Sequence, residues 1–343
     1  MPIFRVKTSA RLHLGQLDLN GSMGRLYGGI GLAVDRPCLE ISAQPDKDLN
    51  IAGPEEEVDR ALAIARQYCR HYGLPGAKIQ IASSFPAHSG LGSGTQLSLA
   101  LGLALTRVYG LQPAIMELAR LTDREGSRSG IGVAVFTRGG FLVDGGMPAA
   151  RRNGAGETPF QVPPVVACLP FPREWGIVLA TPHKQERISG SKEKLAFQSL
   201  PPMAEELSGR LCRLVLMKVL PALVEKNLAL FGEGVTEMQQ IIGSYFAPVQ
   251  GGVFATREGA ELAELLLSAG AAGVGQSSWG PTVYGFASEE KLAILEKAAR
   301  SYLSGRGDVW VARGRNQGAS WGWCKVAEKE SNSRFEYYGA TKI

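Results

Sequence analysis

The chain has 343 residues, 45% of them hydrophobic and 20% charged, with a formal net charge of +5. That balance suits a soluble globular chain with one large core or two lobes sharing one. No dense Lys/Arg stripe with interleaved aromatics is present, which argues against a nucleic-acid partner. No window approaches the ~20 apolar residues of a membrane span, so a membrane partner is not expected either.

In chain order, residues 3–15 alternate as a strand, and residues 28–44 read as two strands with a turn at Arg36-Pro37. Residues 55–73 form an amphipathic helix, acidic at its start, basic near its end and closed by Gly73. Strand 77–85 leads into a glycine-rich loop. A helix from Thr95 to Tyr109, apolar on nearly every face, must be central. A helix follows over 112–122, with Pro113 near its first turn. Residues 131–146 read as a hairpin turning at Arg138-Gly139-Gly140. Residues 147–164 have loop composition, and 174–182 form a strand. From Ser191 to Gly243 the pattern is mostly helical; helix 258–270, turn and strand 273–286, helix 288–303 and strand 307–314 follow. This order predicts a two-lobed α+β fold. The expected division is residues 1–190, 191–325 and a tail, 326–343.

Five scattered cysteines, Cys38, Cys69, Cys168, Cys212 and Cys324, never show a CxxC spacing. They read as free thiols in a reducing compartment rather than a disulfide framework or zinc knuckle. The opening residues lack the apolar run of a signal peptide, so a cytoplasmic location is expected.

Three stretches carry chemistry. The first is the loop Gly90-Leu91-Gly92-Ser93-Gly94-Thr95 at a helix N-terminus. Free backbone N–H groups and the positive end of the helix dipole favour an anion there, and glycines let it come close. No Gly-Lys-Ser/Thr follows, so it is not a Walker A loop. The second stretch is TSARLHLGQLDLNG: Arg11 and His13 share one face of a strand, which suits an anion or a proton transfer. The third is GVGQSSWGPTVYGF, in which small residues surround Gln276, Ser277 and Trp279.

Taken together and in this order, these motifs resemble those of the GHMP kinase superfamily, which includes homoserine kinase, galactokinase and mevalonate kinase. Pro86, Gly90, Leu91, Gly92 and Ser93 match its phosphate loop. The resemblance implies an N-terminal lobe like ribosomal protein S5 domain 2 and a ferredoxin-like C-terminal lobe. Two departures weigh against phosphoryl transfer. Gly94-Thr95-Gln96 replaces the usual second serine, and Gly132 follows Ser129-Gly130-Ile131 where the kinases carry an aspartate. Without that carboxylate the acceptor hydroxyl loses its base. SARLHLGQLDLNG, GLGSGTQ, SGIGVAVFTRGGFLVDGG and QSSWGPTVYG resemble one branch, the β-ribofuranosylaminobenzene 5'-phosphate synthase family of methanopterin synthesis.

That resemblance implies a pentosyltransferase. It would join phosphoribosyl pyrophosphate to 4-aminobenzoate or 4-hydroxybenzoate, with loss of carbon dioxide and pyrophosphate. The alternative is an ATP-dependent small-molecule kinase of the superfamily. A departing pyrophosphate needs cations and N–H donors; the loop amides, Mg²⁺, Arg11 and either Arg128 or Lys184 are the candidates. Asp18 is the favoured Mg²⁺ ligand, ahead of Asp123 and Asp144. His13 would orient the substrate or carry a proton. Trp279 and Tyr284 would wall the arene slot, and His183 sits at a strand end where site residues gather. The family also implies a homodimer.

Overall fold

A computed structural model describes residues 2–122, 129–149, 162–183 and 199–324. Two strands dominate the first sheet, β1 (Ile3–Asp18) and β2 (Arg25–Pro45). Both are amphipathic at a period of two and both are long enough to hold several partners. β3 (Leu49–Ala52), α1 (Glu55–Tyr72) and β4 (Ala77–Ser83) follow. Next come α2 (Ser93–Val108), α3 (Ile115–Leu121) and α4 (Ile131–Thr137). Strands β5 (Phe141–Asp144), β6 (Met147–Pro148), β7 (Val165–Leu169) and β8 (Trp175–Pro182) complete the first half.

The second half opens with α5 (Glu205–Leu214), which runs through a π-helical turn at Val215–Val219 into α6 (Leu220–Val224). Then come α7 (Leu228–Gln250), α8 (Arg257–Ser268), β9 (Gly273–Gln276) and β10 (Val283–Ser288). The last elements are α9 (Glu289–Leu303), β11 (Gly307–Arg313) and β12 (Ser320–Cys324).

The first sheet has the order β12-β1-β2-β4-β3, with β5 and β6 beside the other half of β2 and β7 beside β5. The second has the antiparallel order β11-β8-β10-β9. The sheets do not divide at residue 190. β8 already pairs with β10 and β11, and β12 returns to pair with β1. One apolar core runs between the sheets and joins β1, α2, β8, α7 and β10. A smaller cluster seals α8 and α9 onto the outer face of the second sheet.

Two expected elements differ. Arg36-Pro37 makes no turn; β2 runs through it as one strand, with a cis peptide before Pro37. Residues 131–137 form a helix rather than one arm of a hairpin. Their β-branched residues suggested a strand, yet Ile131, Val133, Ala134, Val135 and Phe136 are all buried, and that packing outweighs propensity. Helix α2 is central, as its composition requires: it packs on β1, β2, α1, α3 and α4. It starts at Ser93, two residues before the expected Thr95, so the loop's serine already belongs to its first turn.

Candidate functional site

Gly90 (φ +82°) and Gly92 (φ +81°) hold the glycine loop in left-handed backbone conformations that β-carbon-bearing residues avoid. A β-carbon on Gly90 would sit 2.2 Å from the carbonyl oxygen of Ser277, so only glycine fits between the two loops. Gly92 caps α2 with no side-chain hydrogen bond, and no acidic residue occupies the helix's first turn. The amides of Ser93, Gly94 and Thr95 therefore face outward with the positive end of the helix dipole. That is a ready anion site. Ser93 itself is buried, and its hydroxyl accepts from Arg60 Nη1 (3.3 Å). Arg60 in turn pairs with the buried carboxylate of Glu57 (2.8 Å). Burial pushes the Glu57 pKa up, against the pull of Arg60.

The other two motifs brace this loop. Arg11 donates its backbone N–H to Leu91 O (3.0 Å) and its Nη1 to Gly90 O (2.5 Å). Ser277 Oγ also donates to Gly90 O (2.7 Å) and accepts from the His13 amide (3.0 Å). The Ser278 amide donates to His13 O (2.9 Å), and Thr282 Oγ1 donates to Ser89 O (2.7 Å). Stretches about 80 and 185 residues apart are thus one hydrogen-bonded unit. Arg11 and Ser277 position the loop.

Beside that unit lies a narrow cleft of about 50 Å³, lined by His13 and Gln16 of β1, by Gln276, Ser278 and Trp279, and by one face of α7. The α7 face presents Gln239, Ile242, Gly243 and Phe246. Phe246 meets Trp279 edge to face, with ring centroids 4.8 Å apart. An apolar slot with an aromatic wall and a few amides suits a flat ring. The cleft-lining residues include no carboxylate, lysine or arginine.

Two relatives are 35% identical to the chain, and each alignment covers 92% of it. They are the beta-ribofuranosylphenol 5'-phosphate synthases of Methanothermobacter thermautotrophicus, matched over 97% of its own length, and of Archaeoglobus fulgidus, matched over 98%. The chain belongs to this synthase family. Within it, the GHMP kinases N terminal domain matches residues 59–140 and the GHMP kinases C terminal domain matches residues 219–305. A crystal structure of homoserine kinase from Cytophaga hutchinsonii superposes with a TM-score of 0.64 at 21% identity, covering 93% of this chain and 97% of that one. The fold is therefore that of the GHMP kinases.

The chain's departures from the kinase motifs have a structural counterpart. A β-carbon on Gly132 would lie 3.1–3.2 Å from Thr95, so α4 and the glycine loop meet where a kinase carries its aspartate. Gln96, fully buried, bridges the same gap: it accepts from Thr8 Oγ1 and donates Nε2 to Gly132 O (2.8 Å). The space in front of Gly132 is taken by the Thr95 side chain, and no carboxylate stands there.

Several expected roles change in this synthase. Asp18 Oδ1 accepts from the amides of Asn20 (2.7 Å) and Gly21 (2.9 Å), closing the turn after β1. It lies four ladder positions beyond His13, ~13 Å along the strand, and does not line the cleft. Asp144 is fully buried and accepts from the amides of Gly29, Gly130 and Gly146 and from Ser129 Oγ, at 2.8–3.0 Å. Burial raises its pKa, and the four donors oppose that rise. Its lone pairs are engaged, so it is a structural hub and not a metal ligand. Among the described residues no cluster of three His, Cys, Asp or Glu could hold a metal ion. They do not build a magnesium cage.

Tyr284 is a core residue rather than a wall of the slot; it is fully buried, with its ring beside Phe286. His183 pairs with Asp308 at the surface end of β8 and β11 (3.0 Å). Arg128, Asp123 and Lys184 lie outside the described residues. The sequence reading missed Arg60, Gln239 and Phe246. Residues 228–250 read as helical, and 239, 242, 243 and 246 share one face at 3.6-residue spacing. Nothing in that pattern said which face would meet β1.

Proposed function

We propose that this protein catalyses the reaction for which its relatives are named, as a pentosyltransferase joining a phosphoribosyl group to an aromatic acid with loss of carbon dioxide. The reading is carried by one observation: the uncapped, acid-free N-terminus of α2 adjoins an aromatic-walled cleft lined by no carboxylate, lysine or arginine. In this reading the loop amides hold the diphosphate of phosphoribosyl pyrophosphate, and Arg11 holds the loop. The C1–O bond of the ribose breaks and its electron pair leaves with the diphosphate, whose growing charge the amides stabilise. The ring carbon bearing the carboxylate bonds to C1. The bond to the carboxylate then breaks, its electron pair returns to the ring, and carbon dioxide departs. A cleft without a cation leaves that carboxylate unclamped, which favours its loss. His13, at the junction of cleft and loop, orients the carboxylate-bearing end of the acceptor toward C1. Trp279 and Phe246 hold the ring flat.

The relatives are named for a ribofuranosylphenol, which favours 4-hydroxybenzoate over 4-aminobenzoate as the acceptor. Magnesium, in this reading, is carried by the diphosphate itself, as is usual for a cation that prefers substrate phosphates to protein cages. We further place the protein in the cytoplasm, where five free cysteines suit a reducing milieu. We place it there as a homodimer in the methanopterin pathway. The test is incubation with phosphoribosyl pyrophosphate, Mg²⁺ and carboxyl-labelled 4-hydroxybenzoate. Labelled carbon dioxide should appear only when all three are present. ATP-dependent phosphorylation of a small hydroxyl compound, with no carbon dioxide from the complete mixture, would overturn the reading in favour of a kinase.

A further inference from the structure

The four glutamines of the cleft are not equivalent. Gln276 is fully engaged: its Oε1 accepts from the Ala255 amide (2.7 Å) and its Nε2 donates to Ser278 O (3.0 Å). Gln250 donates to the carbonyls of Gly252 (2.9 Å) and Val253 (3.0 Å) and so closes the C-terminus of α7. Gln239 is half engaged. Its Oε1 accepts from the Gln276 amide (3.0 Å), and no described group accepts from its Nε2. Gln16 stands apart: only 7% of it is exposed, it lines the cleft, and its carboxamide has no hydrogen-bond partner among the described residues. That carboxamide opens into the cleft without a partner among the described residues, and its placement points to a ligand that pairs with it.

Its position follows from a register shift. His13 pairs with Gly31, Gly15 with Ile30 and Gln16 with Gly29, so β1 carries one extra residue at Leu14. The bulge inverts the alternation. Gln16 therefore shares a face with His13, because Gly29 and Gly31 share one on β2. The two are two ladder positions apart, ~7 Å, about the span of a para-disubstituted ring.

We infer that Gln16, with the free Nε2 of Gln239, recognises the para hydroxyl of the aromatic acid; this rests on the proposed function. With the carboxylate end of the ring at the loop, its para substituent reaches the Gln16 end of the strand. A phenol donates one proton to Gln16 Oε1 and keeps lone pairs for an amide N–H. An arylamine has its lone pair delocalised into the ring and leaves that N–H unpaired. The pair of amides therefore selects hydroxyl over amine.

The experiment compares carbon dioxide release from 4-hydroxybenzoate and 4-aminobenzoate by the intact enzyme, Gln16→Leu and Gln239→Leu. Gln16→Leu should raise KM for 4-hydroxybenzoate ~10-fold or more, leave KM for phosphoribosyl pyrophosphate unchanged, and reduce the preference for hydroxyl over amine. Gln239→Leu should erode the same preference by less. Binding of 4-hydroxybenzoate and of unsubstituted benzoate to the wild-type protein, by calorimetry, covers the case of a variant that does not fold; benzoate should bind ~10-fold more weakly. Equal binding of the two overturns the inference. So does an active Gln16→Leu enzyme with an unchanged preference, or one whose two KM values rise together. No carbon dioxide from the wild type with either acid overturns the proposed function, and this inference with it.

Discussion

Helices α2 and α4 begin side by side, with Thr95 of one against Gly132 of the other, and their N-termini are finished in opposite ways. The start of α4 is occupied by the protein. Asp144, fully buried, accepts from the Gly130 amide and the Ser129 hydroxyl and ties both to Gly29 and Gly146. The start of α2 is left bare: a left-handed glycine, no side-chain cap and no acid in the first turn. The start of α4 is met by a carboxylate from β5, and the start of α2 by none. The neighbouring α1 carries Glu55, Glu56 and Glu57 in its first turn.

The largest expected effect breaks the bare end itself. Gly90→Ala places a β-carbon against the Ser277 carbonyl in a left-handed conformation. It should cost roughly 3 kcal/mol or more and abolish turnover, read as a fall in the denaturant midpoint together with carbon dioxide release. Next, Asp144→Asn attacks the filled end. The amide keeps the shape but can accept only at its oxygen, so two of the four donors lose their acceptor. A loss of ~2–4 kcal/mol is expected by urea unfolding, with KM for both substrates little changed in the folded fraction. Third, Gly94→Asp gives α2 an acid in its first turn, as α1 has. Stability should hold or rise by up to ~1 kcal/mol, while KM for phosphoribosyl pyrophosphate should rise ~10-fold. An unchanged KM would mean that the diphosphate binds elsewhere. The smallest effect is expected from Gly132→Asp, which restores the kinase residue. Crowding against Thr95 should cost ~1 kcal/mol in thermal unfolding, with no ATP-dependent phosphorylation gained, because Thr95 still occupies the space an acceptor hydroxyl would need.

The glycine loop, Arg11, His13 and the Gln276–Trp279 stretch were legible in the sequence because each is a local signal: glycines at a helix start, an alternation on a strand, small residues around a turn. The order of elements likewise announced two lobes. Helix α4 was not legible, because its β-branched residues favour a strand until tertiary burial on all sides is counted. Nor was Asp144 readable as a hub, since its four donors come from three separate stretches of chain. Asp18 looked like a metal ligand because a motif placed it near His13, whereas the extended strand carries it ~13 Å away.

By itself, then, the sequence determined the anion-binding end: the backbone geometry of Gly90 and Gly92 and the lack of acid at Ser93-Gly94-Thr95 are properties of a few consecutive residues. The tertiary structure alone decided what lies beside it. The bulge at Leu14 turned Gln16 onto the face of His13, and the docking of α7 chose Phe246 and Gln239 as the far wall. Those choices depend on strand register and helix rotation. Each is set by the summed packing of a core that joins both sheets, which no short stretch of sequence encodes.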